Sequence, residues 1–108
     1  MIDEEQRQKL FLAIADPNRR QLIERLAADG EKTPTQLAKD LPITRQGVSK
    51  HMHILAEAGL VSVRQEGRDR YYQLRPEVLA ETTNWVDRVR NQWQIRLNAL
   101  AQYLDGNE

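Results

Sequence analysis

The sequence predicts a mainly α-helical domain with one small β-hairpin, in the order α-α-α-α-β-β-α, that works as a dimer. Three observations carry this. Asp16-Pro17 and Thr33-Pro34 each place a capping side chain directly before a proline, the signature of a sharp helix start. Between Val61 and Leu74 the apolar period falls from 3–4 residues to two. From residue 77 to Leu104 there is no glycine or proline, room for one long helix.

The elements follow in order. Residues 4–15 read as a helix capped by Asp3, with Leu10, Phe11 and Ile14 as its apolar stripe. The second helix starts at Pro17 under Asp16, turns Leu22, Ile23 and Leu26 inward, and stops at Asp29-Gly30. The third is short, Pro34 to Lys39, with Leu37 and Ala38 inward. Asp40-Leu41-Pro42-Ile43 is a turn, after which Thr44 caps a fourth helix that ends at Gly59. Val61 and Val63, then Tyr72 and Leu74, alternate with polar residues on two strands flanking Gln65 to Asp69, with Gly67 in the turn. Pro76 opens the last helix, 76–104, ~44 Å long at 1.5 Å per residue. Its apolar steps of three and four are close to a coiled-coil seam. The third and fourth helices with their four-residue turn have helix-turn-helix dimensions, and the hairpin behind them is a wing. Residues 1–108 are therefore expected to form a single winged helix-turn-helix domain whose last helix serves dimerisation.

Composition bounds the function. The chain has 108 residues, 40% hydrophobic and 30% charged, one small domain that a second copy would help to bury. No apolar run approaches the ~20 residues of a membrane span, so no membrane partner is expected. Met1 to Glu5 is acidic and polar, the reverse of a signal peptide, and there is no cysteine; a cytoplasmic address is the expectation. Net charge is zero but unevenly spread: residues 1–42 carry −1, residues 43–75 carry +3 and residues 76–108 carry −2. A basic middle third can meet phosphate while the whole stays neutral.

The fourth helix has two faces. Val48, Met52 and Leu55 share an inward stripe. Gln46, Ser49, Lys50 and His53 share the outward one, all hydrogen-bonding residues with one fixed positive charge and no carboxylate. Such a stripe suits the DNA major groove, where base edges offer donors and acceptors. The same stripe also suits an ordinary solvated face.

Four motifs carry a family likeness. Ala15-Asp16-Pro17-Asn18-Arg19-Arg20-Gln21-Leu22-Ile23, Gln46 to Met52, Leu55 to Val61, and Arg64 to Leu74 resemble, in order and spacing, the second-helix entry, recognition helix, helix end and wing of ArsR-type winged-helix repressors. The resemblance spans about residues 5–75. It implies a homodimeric transcriptional repressor on a palindromic operator in its own promoter region.

On that footing Gln46, Ser49 and His53 are expected at base edges, and Arg45, Lys50 and Thr44 at phosphates. Arg64, Arg68 and Arg70 are the wing's candidate DNA contacts, although a charged hairpin tip is also simply soluble. Leu10, Phe11, Ile14, Trp85, Val86, Val89, Trp93, Leu97, Leu100 and Leu104 are expected at the dimer interface. His51 and His53 point ~200° apart on a helix and cannot chelate one ion, which puts His51 at the core edge. The family's metal sensors use cysteines near the recognition helix or Asp/His pairs on the last helix. This chain has no cysteine and no histidine after His53, so neither metal nor cofactor is expected. An enzyme is not expected either: there is no glycine-rich phosphate loop and no His/carboxylate pair at catalytic spacing. The alternatives are a protein-interaction module that kept the fold, and an inducer-gated sensor built on it.

Overall fold

The computed structural model describes residues 2–106; Met1, Asn107 and Glu108, which the single-domain expectation includes, lie outside the described residues. The order is α1 (Glu4–Ala15), α2 (Pro17–Asp29), α3 (Pro34–Asp40), α4 (Arg45–Glu57), β1 (Val61–Glu66), β2 (Asp69–Leu74) and α5 (Pro76–Asp105).

The first four helices begin where the capping side chains stand. Asp3 accepts from Gln6 N, Asp16 from Arg19 N, Thr33 from Gln36 N and Thr44 from Gly47 N. Each satisfies an amide that has no partner within its helix. At Thr33 the Gln36 side chain returns a bond to the cap's own amide, a complete capping box. The end of α4 is a Schellman turn: Gly59 sits at φ +81°, Gly59 N donates to Ala56 O, and Leu60 N donates to Leu55 O. That reversal turns Leu60 and Val61 back into the core and aims β1 outward.

The core is where the helical stripes converge. Leu10, Leu22, Leu37, Val48, Met52, Leu55 and Leu60 are fully buried, and Tyr72 closes the side beside the hairpin. Leu10 is a correction to the expected interface set. It is 0% exposed within one chain and has no surface left for a second copy. The core reaches α1 through Leu10 and Ala13, while Phe11 and Ile14 are only partly covered.

The hairpin is tighter than expected. β1 and β2 pair antiparallel from Val61↔Leu74 to Glu66↔Asp69, so the turn is two residues, Gly67-Arg68, instead of five. Gly67 at φ +61° supplies the left-handed first position that such turns favour. Lys32, just before α3, adds a bridge to Tyr72, with Lys32 N to Tyr72 O at 3.1 Å and Tyr72 N to Lys32 O at 2.8 Å.

α5 leaves the body. Val78, Leu79 and Thr82 are partly covered, but from Thr83 onward every described residue except Asp87 is exposed. The molecule therefore measures 73 × 28 × 20 Å, with a radius of gyration of 19.4 Å. A compact chain of this length would have about 13 Å. Trp85 meets Phe11 edge-on, centroids 5.4 Å apart, where α5 departs.

Candidate nucleic-acid interface

Burial of Val48, Met52 and Leu55 fixes the roll of α4, and Arg45, Gln46, Ser49, Lys50 and His53 are all exposed as a result. Tertiary structure then divides them. Arg45, Ser49 and His53, spaced by four, line one side of a cleft of about 270 Å³ between α4 and the wing. Arg68 and Arg70 line the opposite side, and Thr33 and Thr35 at the start of α3 line it as well. Gln46 and Lys50 lie outside that cleft, on the outward flank of the helix. Thr44 is engaged as a cap, its Oγ1 3.0 Å from Gly47 N.

The outward stripe of Gln46, Ser49, Lys50 and His53 holds no carboxylate of its own, but one follows it. Glu57, one turn beyond His53, places Oε1 3.1 Å from His53 Nε2. The polar face is thus followed by an acidic group.

Arg64 also needs correction. Its guanidinium donates to Glu31 at 2.7 and 3.2 Å, pairs with Glu66, and lies 4.7 Å from the ring centre of Tyr71. Its hydrogen bonds to Glu31 and then to Glu66 hold its pKa above the ordinary arginine value. The Arg64 hydrogen bond in turn pulls the Glu31 carboxyl below its ordinary range. A cation shared by two carboxylates is not the open phosphate ligand that the motif suggested. Arg45, Lys50, Arg68 and Arg70 make no ion pair among the described residues, and Arg70 is steadied by Gln65 at 3.3 Å. Asp69 is the acidic residue of the cleft.

His51 stands at the core edge, partly buried, with Nδ1 3.4 Å from Arg19 Nη1. Thr35, Gln65 and Glu31 were not singled out in the sequence. Nothing local marks them, because what brings them to the site is the fold of the α2–α3 loop onto the hairpin. Among the described residues no three His, Cys, Asp or Glu side chains converge.

A helix-turn-helix domain model matches residues 14–64, from the end of α1 through α4 into β1. The chain is 42% identical over 97 residues to the HTH-type transcriptional regulator Rv2034 of Mycobacterium tuberculosis, covering 90% of this chain and 87% of that one. An ArsR-like transcriptional regulator from Rhodococcus superposes with a TM-score of 0.86 at 28% identity, covering 96% and 94% of the two chains. This chain belongs to the ArsR-type family of winged helix-turn-helix transcriptional regulators. A further solved structure, described as a homodimeric winged helix-turn-helix DNA-binding domain from Mycobacterium bovis, has a TM-score of 0.65 at 27% identity over 83% of this chain and 82% of that one. In this ArsR-type regulator, α3 and α4 are the helix-turn-helix and β1–β2 the wing.

Proposed function

We propose that this regulator is a cytoplasmic homodimer that represses transcription by seating α4 of each protomer in successive major grooves of a palindromic operator near its own promoter. The observation that carries the reading is the cleft between α4 and the wing. Two guanidiniums from the wing and one from α4 line it, together with Ser49 and Thr35. A duplex strand rising from the major groove would pass through this gap, its phosphate held on both sides. Gln46, on the outward flank, is then left to read base edges.

The dimer rests on α5. Val86, Val89, Trp93, Leu97, Leu100 and Leu104 advance 18 residues in five steps, 3.6 per step, so the stripe runs straight along the helix without supercoiling. All six are exposed in the protomer, as is Trp85. An apolar stripe this long calls for a partner, and a second copy of the same stripe fits it. The homodimeric state of the Mycobacterium bovis domain supports that choice. Two recognition helices related by a two-fold axis read half-sites ~34 Å apart, and an occupied promoter excludes polymerase.

A mobility-shift and footprint experiment on DNA upstream of the protein's own gene tests this. Two protected half-sites and a steep fall of affinity with salt are expected. No shift at low salt would sink the proposal.

A further inference from the structure

We infer that Glu31, on the loop joining α2 to α3, is a positioning residue for DNA binding: its two-point grip on Arg64 sets the angle of the wing, and so where Arg68 and Arg70 meet the duplex. This rests on the DNA-binding reading above.

The wing needs such a strut. Its buried side chains are at its root, Val61 and Tyr72; from Ser62 to Arg70 every residue is exposed. A two-stranded ribbon without a buried face has little to hold it against the body. The backbone bridge at Lys32–Tyr72 holds the root. Among the described residues, the bonds from Arg64 to Glu31 are the only side-chain hydrogen bonds between the hairpin and the rest of the protein. They act on a group that is itself held to the ribbon. Glu66 engages Arg64 from its own strand, and Tyr71, its cross-strand partner, lies under the guanidinium. Holding the guanidinium therefore holds the ribbon. The tip at Gly67 is three residues further out, about 10 Å at 3.3 Å per residue, so a small rotation at Arg64 moves Arg68 by ångströms.

Charge and position predict opposite outcomes at Glu31, which makes the role testable. Removing this carboxylate makes the DNA-facing side more positive. If charge alone mattered, Glu31→Ala would tighten DNA binding. If Glu31 positions the wing, Glu31→Ala weakens operator binding by roughly fivefold, the upper range for an exposed ion pair. It also erases hydroxyl-radical protection at the edges of the footprint while leaving the protection at its centre.

The same variant is read without DNA, from backbone ¹⁵N relaxation of Gln65 to Arg70 in the free protein. Faster motion there, with a melting temperature close to wild type and an intermediate effect for Glu31→Gln, is the expected result. Wing amides as rigid as in wild type overturn the inference, and so does tighter operator binding. Failure of the wild type to bind DNA would overturn the proposed function instead, and the relaxation data would still judge Glu31.

Discussion

Arg19 joins three elements through one guanidinium: Nε donates to Ala13 O at 2.7 Å, Nη2 to Leu12 O at 3.0 Å, and Nη1 lies 3.4 Å from His51 Nδ1. A guanidinium only donates, so in a hydrogen bond between the two side chains His51 Nδ1 is the accepting atom. The end of α1, the start of α2 and the middle of α4 are thereby tied together.

Arg19→Ala should lower stability by about 2 kcal/mol, since it strips charged donors from two helix-end carbonyls. Arg19→Lys should recover less than half, because one ammonium cannot span three acceptors at fixed angles. Urea denaturation of the two variants and of His51→Ala checks this. His51→Ala should cost least, since Arg19 keeps both carbonyls.

Asp16 gives folding a defined acid dependence. The Arg19 backbone amide, then the Arg19 charge, hold its carboxyl below the ordinary 3.8. A depressed folded-state pKa contributes stability that is fully present above 3.8 and is lost as pH falls through the lower folded value. Asp16→Asn keeps a good cap and removes the titration. Its melting temperature should fall less steeply than that of wild type between pH 4 and pH 2, a range set by about two units around the ordinary carboxylate value. Parallel curves would refute the assignment.

Leu10 and Trp93 separate folding from assembly. Leu10→Ala opens the protomer core and should cost about 3 kcal/mol. Trp93 is 60% exposed in the protomer, so Trp93→Glu should leave each domain folded and shift sedimentation from dimer to monomer. A variant still dimeric at micromolar concentration would move the interface away from α5.

Specific and general DNA contacts should part company at Gln46 and Arg68. Gln46→Ala should lose about 1–3 kcal/mol of discrimination at one base pair per half-site. Arg68→Ala should weaken all sequences alike and reduce the salt slope by about one. Competition binding against single-base operator variants over a salt series measures both.

The boundaries of the helices could be read from the chain to within about two residues, because capping and turn signals act within about four residues. Asp16 and Thr33 cap amides three positions on, and Gly59 reverses the backbone at its own φ. The stripe Val48, Met52 and Leu55 likewise announced its burial through spacing alone. The hairpin turn was overestimated because Gln65, Glu66 and Asp69 are polar like loop residues, yet they belong to a ribbon solvated on both faces.

Sequence by itself determined the order of elements, the winged helix-turn-helix class and the inward face of α4, all products of local capping and periodicity. Only tertiary structure decided which arginines are engaged by carboxylates and which apolar residues remain exposed. Glu31 stands 33 residues from Arg64, and Arg19 stands 32 from His51. No local pattern encodes such pairings. Leu10 and Trp93 are alike as letters in an apolar stripe; one is 0% exposed and the other 60%, because burial depends on what the rest of the chain brings alongside.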